Sequence, residues 1–221
     1  MKVFVLNGWA ASEHAWDLCR FPRARLFSYV DQLDGRPEEA MRAENGPVVL
    51  VGWSMGGSGA LRLAIGFPEK IGGLVLLAAT ARMMKSPGWV GMSDRRLAAF
   101  EVGIRMTHGE GFFGIPAGKP NPYLMDEEHN LRRGLEYLRE TDLRASLVDL
   151  MASGRLRCPV RIFQSERDGI VRHENAQFLA SVFPGAEVTM VPGPEHALPI
   201  MIPREIDAAV AETLAAPAWR A

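Results

Sequence analysis

Ser54 lies within Gly52-Trp53-Ser54-Met55-Gly56, a G-x-S-x-G sequence, and Asp168 and His196 follow it along the chain in that order. A serine hydroxyl is a weak nucleophile at neutral pH. It becomes a competent one beside a histidine that takes its proton and a carboxylate that orients the histidine. The chemistry such a set performs is acyl transfer: attack on a carbonyl carbon, an acyl intermediate on the serine, and release by water. A bare G-x-S-x-G also occurs by chance in Gly-rich turns, so its weight depends on the elements that frame it.

The frame is a strand and a helix. Residues 48–51, Val-Val-Leu-Val, are β-branched, follow Gly46-Pro47 and are too few for a helix, so they read as a buried strand. Residues 60–67 read as a helix that Pro68 closes. The serine then sits on a tight turn between them, where a side chain at Gly52 or Gly56 would strike the neighbouring backbone. The helix aims its free N–H groups and positive dipole end at any negative charge formed there.

The remaining elements follow an alternation. Residues 2–6 read as a strand ending in the turn Asn7-Gly8-Trp9-Ala10, and Ser12 reads as the N-cap of a helical segment over 12–18. Residues 25–30 read as a further strand, with a short helix over 37–43 between it and the serine strand, and residues 71–79 read as a strand after the serine helix. Strands apolar on both faces, alternating with helices, call for a parallel sheet covered on each side. The alternation stops over residues 82–157, where helix-like stretches appear at 94–105, 127–139 and 143–152. This segment reads as a helical cap over the sheet end that holds Ser54, its Trp89, Met92, Phe100, Met106, Phe112 and Phe113 divided between cap core and pocket wall. Strand 159–164, helix 173–183, strand 187–191 and helix 203–214 complete the pattern. The expected organisation is a core of residues 1–80 and 158–221 with a cap over 81–157.

Asp168 follows strand 159–164 and His196 follows the last strand, and the carboxyl ends of strands are where open α/β sheets build their sites. His14 and His173 stand at helix starts, and His108 and His129 lie in the cap segment. Glu166 is the second candidate for the acid.

Composition narrows the class. At 221 residues with 48% apolar and 23% charged, the chain reads as one globular domain with an insertion. A net charge of −1 gives no reason to expect nucleic acid or a membrane surface as partner. Cys19 and Cys158 form neither a disulfide framework nor a metal spacing. The first strand begins at Lys2, which leaves no room for a signal peptide, so the expected location is the cytoplasm; a monomer is the separate expectation for assembly. The proposed chemistry calls for no metal and no organic cofactor.

The Ser54 turn, the Asn7-Gly8-Trp9 turn and the segment Gly134-Leu-Glu-Tyr-Leu-Arg-Glu-Thr-Asp-Leu-Arg144 together resemble the α/β-hydrolase superfamily over nearly the whole chain. Within it they are similar to the pimeloyl-acyl-carrier-protein methyl ester carboxylesterases of the biotin pathway. That family shows a Gly-Trp turn, a G-W-S-[LM]-G-G turn and a G-L-x-x-L-x-x-x-D-L-R stretch. The resemblance implies an α/β-hydrolase fold with a mostly parallel sheet and a helical cap. It implies Ser54, Asp168 and His196 as the catalytic set, the N–H groups of Trp9 and Met55 as the oxyanion hole, and substrate contact by Trp9. The implied reaction is hydrolysis of the methyl ester of pimeloyl-acyl carrier protein, with methanol as the other product.

Three departures stand out. Asn7 replaces the family's histidine before Gly-Trp. The chain begins at what the family has as its third strand, so about six strands are expected, without the leading hairpin. The cap is short. In the family, cap arginines meet the acidic carrier; here Arg132, Arg133, Arg139 and Arg144 are the candidates, in a segment (81–157) with 12 Lys/Arg and 10 Asp/Glu. Two other readings remain open: a general short-chain carboxylesterase or thioesterase acting on another small acyl substrate, and a non-catalytic ligand-binding protein on the same fold.

Overall fold

The apolar runs become strands β1 (Lys2–Leu6), β2 (Ala24–Phe27), β3 (Val48–Trp53), β4 (Ile71–Leu77), β5 (Val160–Ser165) and β6 (Glu187–Val191) in a computed structural model that describes residues 1–107, 118–119, 121–123 and 126–216. All pair in parallel, in the order β2-β1-β3-β4-β5-β6. The helices are α1 (Tyr29–Leu33), α2 (Arg36–Ala43), α3 (Met55–Gly66), α4 (Asp94–Thr107), α5 (Glu128–Glu140), α6 (Arg144–Ala152), α7 (Glu174–Val182), α8 (Leu198–Met201) and α9 (Pro203–Ala215).

Strands β3 and β4 are buried at every position, as a central parallel pair covered on both faces must be. Alternate side chains serve opposite layers. Val49, Val51 and Val75 pack with α8, α9 and the turn after β1, and Leu50, Leu74 and Leu76 pack with α2, α3, α6 and α7. Each Val or Leu removed from water here contributes about 1.5–3 kcal/mol, which makes this pair the anchor of the sheet.

The strand expected over 25–30 is shorter than its β-rich sequence suggests. It ends at Phe27, and Tyr29 opens α1. Ser28 is the reason. Its hydroxyl accepts the N–H of Asp31, and the Asp31 carboxylate accepts the N–H of Ser28, a reciprocal cap that outweighs the β-propensity of Tyr29 and Val30. Ser12 differs in the other direction. It precedes a 3₁₀ turn (Glu13–Trp16) without capping it, and its hydroxyl lies 3.4 Å from the carbonyl of Pro122.

The chain runs from β1 outward to β2, then back across to β3. Loops leaving β1 and β3 therefore diverge, and open sheets leave a crevice at that point. The crevice lies under α4 and α5, which contribute Leu97 and Leu138 to its wall. Leu147 and Leu150 of α6 instead join the layer formed with α3 and α7. Among the described residues, no helix is long and apolar enough to cross a membrane.

Candidate active site

Ser54 joins β3 to α3 with φ 56° and ψ −118°, a conformation that L residues rarely adopt. Two glycines make the turn sterically possible. A Cβ on Gly56 would stand 2.0 Å from the carbonyl oxygen of Leu6, and one on Gly52 would stand 2.4 Å from that of Gly56. The Ser54 N–H donates to the Leu77 carbonyl of β4 at 2.9 Å, tying the turn to the sheet.

His196 lies between the serine and the acid. Its Nε2 is 2.9 Å from Ser54 Oγ, and its Nδ1 is 2.8 Å from Asp168 Oδ2. The other carboxylate oxygen accepts the N–H groups of Ile170 and Val171 at 2.7 and 3.1 Å, so the carboxylate cannot rotate away. A carboxylate only accepts, which assigns the proton to Nδ1 and leaves the Nε2 lone pair for the serine O–H. All three side chains are buried. Glu166, the second candidate for the acid, is exposed. His14 sits beside Asp17 on the surface, His173 beside Glu174, and His129 is exposed on α5; His108 lies outside the described residues.

Two backbone N–H groups, on the turns after β1 and β3, find no acceptor among the described residues. Met55 is the first residue of α3, so its N–H has no acceptor within the helix. The N–H of Trp9 meets no acceptor among the described residues. The turn carrying Trp9 is held by Asn7, whose side chain uses its full hydrogen-bonding capacity. Its amide donates to the carbonyls of Ala11 and Ser12, and its oxygen accepts from Gly8 N–H and Trp16 Nε1. Asn7 thus secures the loop from the position where the family carries histidine. The histidine loop is secured in the same way. Trp53 Nε1 donates to the His196 carbonyl at 2.9 Å, and the Ser165 hydroxyl donates to that of Glu195. Of these positioning residues the sequence reading singled out Asn7, as the residue standing in place of the family's histidine, while the roles of Trp53 and Ser165 escaped it.

The serine opens into an apolar pocket walled by Trp9, Trp53, Met83, Met92, Phe100 and Ile170. The free space is about 10 Å³, room for roughly one water, so an acyl chain enters only as these side chains shift. Of the apolar residues assigned to the cap, Met92 and Phe100 face the pocket, Trp89 packs on Phe178, and Met106 is exposed. Phe112 and Phe113 lie outside the described residues. Burial, and after it the charge of Asp168, holds the phenol of Tyr123, another wall residue, well above its usual range, so it stays protonated. Burial likewise pushes the thiols of Cys19 and Cys158 up to about 12, which makes neither a rival nucleophile.

Each of the four candidate arginines has a carboxylate of its own chain. Arg132 meets Glu128, Arg133 meets Asp34, Arg139 meets Asp94, and Arg144 meets Asp142, at 2.5 to 2.9 Å.

A parallel sheet with a serine at the strand-to-helix turn beside its switch point, and a histidine and an acid on later loops, is the architecture of acyl hydrolases. The chain belongs to the alpha/beta hydrolase family, whose sequence pattern matches residues 5–212. It is 28% identical to a pimeloyl-[acyl-carrier protein] methyl ester esterase of Nitrosospira multiformis over 67% of this chain, and it spans about three fifths, 61%, of that protein. A protein of the same name from Nitrosomonas europaea is 25% identical over 92% of this chain and 91% of its own length. An esterase from Exiguobacterium antarcticum shares the fold, with a TM-score of 0.76 at 16% identity over 98% of this chain and 92% of its own.

Proposed function

We propose that this chain is a cytoplasmic serine carboxylesterase that cleaves the methyl ester of a pimeloyl group carried on acyl carrier protein, within biotin synthesis. The observation that carries the reading is the hydrogen-bonded line from Asp168 through His196 to Ser54 at the floor of an apolar pocket. His196 takes the serine proton as Oγ attacks the ester carbonyl carbon. The N–H groups of Trp9 and Met55 receive the negative charge on the carbonyl oxygen. As the tetrahedral intermediate collapses, the bond to the methoxy oxygen breaks and His196 delivers its proton to that oxygen, releasing methanol. Water, deprotonated by the same imidazole, then frees the carboxylate from Ser54. The names of the relatives support the methyl ester as substrate, and the apolar wall suits the methylene chain of a pimeloyl group.

One observation favours a second reading, a general short-chain esterase or thioesterase that needs no carrier. All four cap arginines already have partners within the chain. Growth of a biotin auxotroph lacking its pimeloyl-ester esterase separates the two. Rescue by this gene, and none by its Ser54→Ala form, is the expected result. Soluble protein that cleaves p-nitrophenyl acetate but rescues nothing would leave the second reading standing.

A further inference from the structure

Gly134 is the central residue of the thirteen in α5, a place where glycine weakens a helix relative to alanine. It also opens the G-L-x-x-L-x-x-x-D-L-R stretch, and the triad chemistry gives it no task. The packing supplies one. A Cβ on Gly134 would stand 2.3 Å from Cδ1 and 2.7 Å from Nε1 of Trp9, closer than real contacts allow, while its next neighbour, Cδ2 of Tyr29, would be at an ordinary 3.5 Å. The notch is therefore cut for the indole alone. Trp9 Nε1 donates to the carbonyl of Leu131 at 3.1 Å, one turn earlier on the same helix. Its ring stacks on Phe100 of α4 at 5.4 Å between centroids, with 29° between the planes.

Trp9 is thus gripped by both cap helices while it walls the pocket beside Ser54 and carries one of the proposed oxyanion donors. The pocket has almost no slack, and Phe100 blocks one face of the ring. An indole pushed out of its notch takes up space that an acyl chain needs.

We infer that Gly134 is a positioning residue that seats Trp9, and through it sets the length of acyl chain the pocket accepts. This rests on the reading of Ser54 as an ester-cleaving nucleophile. The two fail differently, because the test uses p-nitrophenyl acetate, butyrate and octanoate, which demand neither carrier nor pathway.

The measurement is kcat and KM on the three esters for wild type, Gly134→Ala, Trp9→Phe and the double variant. In Gly134→Ala, kcat/KM for octanoate is expected to fall about tenfold or more relative to acetate, the scale at which pockets discriminate chain length. Its Tm is expected to fall by only a few degrees, since the helix preference of alanine offsets part of the cost of displacing the indole. Trp9→Phe removes Nε1 and part of the wall, so it shifts preference toward octanoate, and in that background the Gly134→Ala effect shrinks. A uniform loss on all three esters, or additive effects in the double variant, overturns the inference and leaves Gly134 a helix-packing residue. If Gly134→Ala does not fold, Trp9→Phe decides alone, and an unchanged chain-length profile overturns it. Wild type inactive on every ester sinks the Ser54 reading, and this one with it.

Discussion

The backbone of Ser54 is held in a conformation that costs about 1–3 kcal/mol, and its bond to Leu77 and the two flanking glycines keep it there. What that strain secures is direction: the hydroxyl meets Nε2 of an imidazole whose other nitrogen is already committed to Asp168. Asp168→Asn tests that commitment. The asparagine oxygen must still accept the N–H groups of Ile170 and Val171, which turns its NH₂ toward the histidine. Nδ1 then has to accept, the proton moves to Nε2, and the base facing Ser54 becomes a donor. Volume and fold are preserved, so kcat on p-nitrophenyl acetate is expected to drop on the order of 10⁴-fold, as in a serine protease carrying the same change, with Tm little altered. A wild-type rate would transfer the acid's role to another carboxylate. These three residues were legible because chemistry constrains their types, their order and their place at strand ends. Trp53, which pins the His196 carbonyl across 142 intervening residues, was not, because a long-range bond to backbone leaves no local spacing to read.

Elements were legible where burial decides them and obscure where a single side chain does. The strands β3 and β4 announce themselves as unbroken apolar runs, whereas α1 depends on the Ser28–Asp31 cap inside a stretch rich in β-formers. The end of α5 depends on another local device. Asp142 accepts from Arg82 at 2.8 Å and from Arg144 at two points, both 2.8 Å, while the Leu143 N–H donates to the carbonyl of Ala81. Arg144 also lies over the ring of Trp89, whose indole donates to the Arg82 carbonyl. This knot joins the entry and exit of the segment that carries α4 and α5. The hydrogen bond from Arg144 leads in holding the Asp142 carboxyl well below its usual range. A depressed pKa means that the stabilisation is present above the ordinary carboxylate value and lost as pH falls from there through the native one. The group is one-third exposed, so about 1 kcal/mol is a fair scale. Asp142→Asn is expected to lower Tm by about 2–4 °C at pH 7, and the gap to wild type should close as the pH drops below 4. A gap that stays constant into acid would show that packing, not charge, makes the knot.

At the scale of the molecule, the alternation of elements was enough to foresee a parallel sheet, because strands that are apolar on both faces, as β3 and β4 are, need cover on each side. Surface charge is the opposite case: counts are visible in the sequence, pairing is not. Residues 81–157 carry a net +2 within a chain of −1, yet the four arginines proposed to meet a carrier each face an internal carboxylate. Such exposed pairs add little to stability and remain visible to a partner as a local field. If an acidic carrier approaches over α5, reversing Arg132 and Arg139 together exposes Glu128 and Asp94 and adds two further negative charges. Folding is expected to survive, since both arginines are surface residues. Turnover of the carrier-bound ester is expected to fall about tenfold in kcat/KM at low salt, with p-nitrophenyl acetate unaffected. The loss resides in the encounter step, so it should shrink as ionic strength rises and the Debye length falls below about 8 Å. Equal losses on both substrates, or a deficit indifferent to salt, would remove α5 from the docking route and leave the two arginines as paired surface residues.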